Sequence, residues 1–360
     1  MKRILITGAG GTPAINFTRS LRLAPQKFYL IGVDANEYYL QRAETDEKYL
    51  VKNADHPLYL KILKDIIKRT KPDFLYAQTD QEIEKISPVR DSINVKTFLP
   101  DTKTIDICQD KYESYKYWER SGIVVPKTIL VRTVKDLSMA FKKFGSPVWV
   151  REAHSPGGGG RGSFKASGLN QAETWIDLNN GWGTFTAAEY LSEHSVTWTS
   201  IWKNGELIVA QGRKRIYWEF ANRAPSGVTG ITGTGITVSD SKLDDLAIKV
   251  IKAIDKNPNG IFAVDITYDK KGNPNPTEIN IGRFFTTHLF FTEAGLNMPY
   301  ILIKCAFDEP LNGLFTKKVN PLKPGLAWIR GMDKVPVLTD IKVIENSKKD
   351  LKLRIKKITK

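Results

Sequence analysis

Three oxygen-bearing side chains on two short apolar runs form the most chemically suggestive feature of the sequence. Asp265 lies in Phe262-Ala263-Val264-Asp265-Ile266-Thr267-Tyr268-Asp269, and Glu278 and Asn280 follow in Thr277-Glu278-Ile279-Asn280-Ile281-Gly282-Arg283. The link Lys270-Lys271-Gly272-Asn273-Pro274-Asn275-Pro276 is dense in turn residues. The unit therefore reads as two strands joined by a loop, and antiparallel pairing would set Asp265 opposite Glu278. Carboxylates with an amide carbonyl are hard oxygen donors, suited to Mg2+ where it bridges nucleotide phosphates. Taken alone, the same residues also describe a solvated hairpin with carboxylates on its polar face, so the rest of the chain has to decide.

Upstream, Val150-Arg151 ends an apolar run and leads into Ser155-Pro156-Gly157-Gly158-Gly159-Gly160-Arg161-Gly162-Ser163. That layout is a buried strand delivering a cation, a glycine loop and a second strand. Glycines let backbone N–H groups approach phosphate oxygens, and such a loop can close over them. No Gly-Lys-Ser/Thr ends it, so it is not a P-loop. Phe185 to Glu189 and Val196 to Trp202 read as strands on either side of a break, Lys203-Asn204-Gly205 as a turn, and Leu207 to Arg215 as a further strand carrying Arg213, Lys214 and Arg215. Arg213 and Arg215 alternate along it, so one face sees a pocket and the other meets solvent. Leu243 to Ile254 has the spacing of an amphipathic helix.

The first hundred residues must hold this machinery from one side. Strands are predicted at Arg3–Thr7, Phe28–Val33 and Asp73–Ala77, with helices over Thr12–Leu23, Leu58–Arg69 and from about Gln81. This alternation is a parallel, doubly wound α/β unit. Its first turn, Gly8-Ala9-Gly10-Gly11-Thr12-Pro13, invites a dinucleotide reading with Asp34 as the ribose-binding acid, although Pro13 falls where a third glycine belongs. In either case the turn leaves a helix N-terminus able to hold an anion. A transition follows near Asp101, and Cys108-Gln109-Asp110-Lys111 opens a helix that Gly122 stops before a strand entered through Val124-Val125-Pro126.

Composition narrows the classes. Hydrophobic residues at 41 % and charged residues at 26 % are those of a globular protein, and no apolar run approaches the roughly 20 residues of a membrane span. A cytoplasmic location with no membrane partner is the expectation. Cys108 and Cys305 are too few for a disulfide framework and read as buried thiols. Nothing matches a histidine zinc site or a Ser-His-Asp relay, and His288 reads as a packed residue rather than a base. The net charge of +15 favours acidic partners, and part of it is local, in a tail with eight Lys or Arg from Lys342 onward. Alternation of Leu351, Leu353 and Ile355 with charges predicts an exposed edge strand there.

In order and spacing, these pieces resemble the ATP-grasp superfamily, most closely one synthetase half of the carbamoyl-phosphate synthetase large subunit. The resemblance spans about residues 1 to 330 and rests on the glycine turn, Asp110-Lys111 with Gly122 and Pro126, Val150-Arg151 with the glycine loop, Glu189-Tyr190-Leu191 with Glu193, Asp265, and Glu278-Ile279-Asn280 with Arg283. The fold class it implies is α/β and α+β: a Rossmann-like pre-ATP-grasp domain at 1–102, then a two-lobed ATP-grasp domain with an N-lobe at 103–186 and a C-lobe at 187–335, and a basic segment at 336–360. The cofactors implied are ATP and Mg2+, with Mn2+ an alternative metal. Lys111, Arg151 and the loop glycines Gly158, Gly159 and Gly160 would meet phosphates. Glu189, Tyr190 and Leu191 would form the adenine hinge and Glu193 would take the ribose. Asp265, Glu278 and Asn280 would hold the metal, and Arg283 with Arg213 would serve the reacting groups. Relatives carry Asn-Pro-Arg, so Asn280-Ile281-Gly282-Arg283 has one extra residue.

The activity so implied is a carboxylate–amine ligase working through an acyl phosphate. Its partners would be a small-molecule carboxylate and an amine, with an acidic substrate or acidic carrier protein as options, and a homodimer as the assembly. Second-substrate candidates are Arg213, Lys214, Arg215, the run Gly230-Ile231-Thr232-Gly233-Thr234-Gly235, and Thr286-Thr287-His288. Two rivals stand beside it: a nicotinamide-dependent oxidoreductase using Gly8 to Asp34, and a basic nucleic-acid-binding protein using the tail, for which no aromatic platform is present.

Overall fold

The structure, a computed structural model, describes residues 1–154, 160, 162–331, 333, 335 and 337–359. Three sheets carry the fold. The first holds β1 (Lys2–Ile6), β2 (Phe28–Asp34), β3 (Glu47–Leu50) and β4 (Phe74–Tyr76), in spatial order β3-β2-β1-β4 and parallel throughout. Helices α1 (Thr12–Arg22), α2 (Glu37–Arg42), α3 (Tyr59–Thr70) and α4 (Asp80–Ile86) alternate with its strands. Parallel strands need both faces covered, and the sequence meets this with near-continuous apolar runs such as Ile4-Leu5-Ile6, all fully buried.

Helix α4 begins where it does because Thr79 and Glu82 form a capping box. Each satisfies a donor the helix end would otherwise leave open. Asp80 thereby becomes the first residue of α4, at the edge nearest the third sheet.

Asp110 separates two helices, α5 (Thr102–Gln109) and α6 (Lys111–Arg120), by accepting the N–H groups of Tyr112 and Glu113. The single helix expected from Cys108 is therefore broken, and Lys111 stands at the start of α6. The second sheet contains β5 (Thr128–Val131), β6 (Val148–Glu152), β7 (Phe164–Ala166) and β8 (Phe185–Glu189), in order β5-β8-β6-β7 and antiparallel. Helices α7 (Val134–Phe144) and α8 (Leu169–Leu178) pack on it, with Leu137, Ala140, Ala172 and Ile176 in its core.

The third sheet is antiparallel and has six strands: β9 (Ser195–Lys203), β10 (Glu206–Trp218), β11 (Thr232–Val238), β12 (Gly260–Tyr268), β13 (Pro274–Ile281) and β14 (Ala327–Ile329), in order β13-β12-β9-β10-β11-β14. Period-two alternation splits its residues between faces. Val196, Trp198, Phe262, Val264 and Ile266 join the core formed with α9 (Ser241–Ile254). On the other face Ile201, Val209, Ile261 and Ala263 are covered by residues of α10 (Leu289–Glu293) and α11 (Met298–Ala306). Further along the same face, Thr197, Arg213, Asp265 and Glu278 floor a cavity.

The tail is a helix, α12 (Ile341–Ile358), and not the expected edge strand. Leu351, Ile355 and Ile358 share one helical face against the first unit, while Leu353 is 68 % exposed. The spacing that pairs is thus i, i+4, i+7, and Leu353 only imitates strand alternation. Asp340 caps the helix, and buried Arg354 bonds Asp65 and Asp350. Lys348 meets Glu37. Both cysteines are free and buried, as read from the sequence. Among the described residues no helix is long and apolar enough to cross a membrane.

Candidate active site

The hairpin forms as its sequence suggests: β12 and β13 are antiparallel and Asp265 is the register partner of Glu278. Both line a cavity of about 940 Å³ between the second and third sheets, which also reaches Gly8, Gly11 and Pro13 of the first unit. Thr197 pairs with Asp265 on one side and Arg213 on the other. One cross-strand row therefore runs Glu278, Asp265, Thr197, Arg213 on the cavity face. Thr197 Oγ1 donates to Asp265 Oδ1 at 2.5 Å and accepts from Arg213 at 2.6 Å. Asn280 Nδ2 donates to Asp265 Oδ2 at 3.2 Å.

The two carboxylates titrate as a pair in opposite directions. Burial drives Asp265 upward, with Arg215 opposing and the charge of Glu278 adding to the rise. Burial would raise Glu278 as well, but Lys111 and Arg151 outweigh it and hold that carboxyl below its ordinary range. Arg151 reaches Glu278 at 3.5 Å and also donates to the Thr277 carbonyl at 2.7 Å, while Lys111 lies 3.9 Å from Glu278. The Lys111 backbone N–H is held by the Ala153 carbonyl. These cations come from α6 and β6, so both face the acids across the cleft.

The donor set suits a hard divalent cation. Asp265, Glu278 and the Asn280 carbonyl present oxygens, such an ion would relieve the mutual repulsion of the two carboxylates, and a site built for Mg2+ needs only one or two protein carboxylates besides phosphates and water. Among the described residues no cluster of three or more His, Cys, Asp or Glu side chains offers an all-protein cage.

Glu189, Tyr190, Leu191 and Glu193 all line the same cavity. The Glu189 side chain accepts the Lys127 N–H at 3.0 Å, and Ser192 N–H binds the Tyr268 carbonyl. The end of β8 is thus tied to Lys127, just before β5, and the segment after it to the end of β12. Gly160 lines the cavity with φ of +70°, and a Cβ there would come within 2.6 Å of Val228. Gly158 and Gly159 lie outside the described residues.

Arg283 lines the same cavity and is anchored from the first unit. Its guanidinium is bidentate with Asp80, at 2.5 and 2.8 Å, and it donates to Asn280 Oδ1 at 3.0 Å. Gly282, with φ of +73°, supplies the turn between β13 and Arg283. The following segment is gripped by the first unit: Tyr76 OH accepts the Phe284 N–H, Gln78 donates to the Phe284 carbonyl, and Asn16 donates to that of Thr286. Asp80 and Thr197 escaped the sequence reading. The signals available were the Thr79–Glu82 capping pattern for one and the Thr197, Thr199 alternation for the other.

Arg213 and Arg215 both face the cavity, while Lys214 is not among the lining residues. Arg213, 2 % exposed, is held by the hydroxyls of Thr197, Thr232 and Thr287. His288 is fully buried, with Nδ1 donating to the Phe285 carbonyl, and burial pulls its pKa down to about 4. It is a packed neutral ring, as the sequence reading held.

The glycine turn does not make the nicotinamide site. Asp34 is buried, accepting the N–H groups of Gly10 and Asn36. The Tyr39 carbonyl packs so closely on Gly10 that a Cβ there would lie 1.8 Å from it. The acid that a ribose would need is engaged by the protein's own backbone.

No family model matches the chain. The N-terminal section of the carbamoyl phosphate synthase large chain of Aquifex aeolicus is 28 % identical over 287 residues, covering 72 % of this chain and 49 % of that protein. The carbamoyl phosphate synthase large chain of Thermotoga maritima is 25 % identical over 300 residues, covering 74 % and 26 %. The chain thus spans half or less of the length of these relatives. Among solved structures, the biotin carboxylase domain of Hydrogenobacter thermophilus 2-oxoglutarate carboxylase, in complex with MgADP, ADP and bicarbonate, superposes with a TM-score of 0.69 at 17 % identity, covering 91 % of this chain and 73 % of that one. A carboxyaminoimidazole ribonucleotide synthase from Aspergillus clavatus, complexed with ATP, gives 0.67 at 15 % identity, covering 90 % and 80 %. The chain has the ATP-grasp fold, and its sequence is similar to that of the carbamoyl phosphate synthase large chain.

Proposed function

We propose that this chain is an ATP- and Mg2+-dependent ligase that activates a carboxylate as an acyl phosphate and passes the acyl group to an amine. The observation that carries the reading is the Asp265–Glu278 pair facing Lys111 and Arg151 across one cleft, beside the segment 189–193. Adenine would lie along Glu189, Tyr190 and Leu191, with Glu193 on the ribose. Lys111, Arg151 and the glycine loop, including Gly160, would receive the phosphates, and Asp265, Glu278 and Asn280 would hold Mg2+. Bound there, Mg2+ would supply positive charge to the phosphate oxygens.

A carboxylate is a poor electrophile. Its oxygen attacks the γ-phosphorus of ATP, the bond to the β–γ bridging oxygen breaks, and ADP leaves. The amine then adds to the acyl carbon and loses a proton as phosphate departs. No protein nucleophile is required, which fits a cleft furnished with cations and hydroxyls. Catalysis rests on positioning and preorganised charge. Arg213, one hydroxyl away from Asp265, is placed to orient the reacting carboxylate. Arg283 acts through Asn280, whose carbonyl it fixes, and so is a positioning residue.

The Aspergillus clavatus structure was solved with ATP and the Hydrogenobacter domain with MgADP. Both support a nucleotide in this cleft. The test is an ADP-release screen over pairs of small carboxylates and amines in the presence of Mg2+. The reading requires release that depends on both the carboxylate and Mg2+; nucleotide turnover indifferent to both would refute it.

A further inference from the structure

Much of the positive charge of this chain lies away from the cleft. Helices α3 and α12 together carry eleven Lys or Arg against Asp65, Glu345 and Asp350, a surplus of eight in a chain of net charge +15. None of these residues lines the cavity. Helix α12 has two rows of seven-residue spacing on opposite sides. Ile344 and Leu351 are buried and Ile358 is half-buried, whereas Lys342, Lys349 and Lys356 are exposed. Seven residues make nearly two helical turns, so the lysines form one stripe with members about 10 Å apart along the axis. Helix α3 repeats the division, with Ile62 and Ile66 buried and Lys61, Lys64 and Lys68 exposed.

The two lysine faces are neighbours. Buried Arg354 of α12 bonds Asp65 of α3 at 2.5 Å, and the Tyr49 ring of β3 lies 5.3 and 5.7 Å from the guanidinium carbons of Arg354 and Arg69. Arg354 also bonds Asp350 at 2.8 Å. It thereby engages, from the protein side, two of the three acids on these helices. Among the described residues none of Lys61, Lys64, Lys68, Lys342, Lys349 and Lys356 forms an ion pair. Such a concentration of like charge costs stability through self-repulsion and is relieved by an acidic partner.

The side chains around the lysines select the partner. Leu353, 68 % exposed, stands beside Lys349 and Lys356, while Ile341 is 58 % exposed and Leu338, just before the helix, fully so. Every exposed cation of the two helices except Arg69 is a lysine, whereas protein interfaces favour arginine and are poor in lysine. A nucleic-acid backbone would take the ammonium groups but offers nothing to exposed leucines. A lipid interface accepts both, since headgroups meet the ammonium groups, lysine stems snorkel and leucines enter the acyl boundary. We propose that the outer face of α3 and α12 docks the chain peripherally on an anionic lipid membrane. The expectation of no membrane partner rests on the lack of an apolar span, which surface binding does not require. The docking face is independent of the ligase reading.

The test is co-sedimentation of the full chain with vesicles of phosphatidylcholine alone and of phosphatidylcholine mixed equally with phosphatidylglycerol. The chain should bind the anionic vesicles, bind them more weakly as salt is added, and leave the neutral ones. A lysine beside an anionic surface strengthens binding roughly fivefold, so Lys349→Gln, Lys352→Gln and Lys356→Gln combined should weaken it about 100-fold. Lys61→Gln, Lys64→Gln and Lys68→Gln combined should weaken it as well, which keeps the test decisive if the first variant misfolds. Leu353→Gln, which leaves the charge unchanged, should weaken binding several-fold. Failure to bind anionic vesicles, equal binding to neutral ones, or full affinity in both lysine variants overturns the proposal. Wild-type vesicle affinity in Leu353→Gln, together with displacement of the vesicles by duplex DNA, assigns the face to nucleic acid and likewise overturns it.

Discussion

Asp80, at the first residue of α4, holds Arg283, two residues past β13, through two hydrogen bonds of 2.5 and 2.8 Å. The pair joins residues 203 apart in sequence and fixes the side chain that in turn orients Asn280. Asp80→Asn leaves the guanidinium largely buried without its charge partner, at a cost of about 3 kcal/mol. Chemical denaturation should show that loss, accompanied by weaker Mg2+-nucleotide binding. Unchanged stability would deny the pair its organising role.

Lys111 and Arg151 approach Glu278 only at 3.9 and 3.5 Å, loose enough to exchange that acid for phosphate. Lys111→Met and Arg151→Met should each raise the KM for ATP about 10- to 100-fold, as expected for losing a charge-assisted contact. The KM for the carboxylate should move far less.

Gly10 serves packing. Gly10→Ala places a methyl group into the Tyr39 carbonyl, and the forced shift of α2 should cost roughly 1–3 kcal/mol. Equilibrium unfolding should register it. Wild-type stability would show that the turn is looser than the geometry requires.

His288 makes folding sensitive to acid. Its folded-state pKa is depressed, from 6.5 to about 4, by burial. The unfolded chain therefore takes up the proton first, and the stability His288 contributes is full above about pH 6.5 and lost as pH falls towards 4. The loss amounts to on the order of 3 kcal/mol. His288→Gln should flatten the stability–pH curve over that interval, seen by denaturation at stepped pH.

Much of the third sheet was legible because its chemistry is local. The hairpin announces itself in two apolar runs and a turn-rich link, and the register follows from alternation, so Asp265 and Glu278 could be paired by reading. The cations at 111 and 151 were readable as strand and helix ends. What lay beyond reading was long-range. Nothing near Asp80 marks it as the partner of Arg283, and Thr197 becomes a bridge only when β9 is placed between β12 and β10. The tail misled because Leu351 and Ile355 serve strand and helix patterns equally, and the decision came from tertiary packing against the first unit.

The proposed function requires the Asp265–Glu278 pair to act as a Mg2+-nucleotide clamp. It is tested most directly by titrating a non-hydrolysable ATP analogue, with and without Mg2+, into wild type and Glu278→Gln. Wild type should bind far more tightly with the metal, and the variant, folded as judged by its far-UV circular dichroism, should lose that Mg2+-dependent gain. Affinity in Glu278→Gln equal to wild type and equally responsive to Mg2+ would contradict the account.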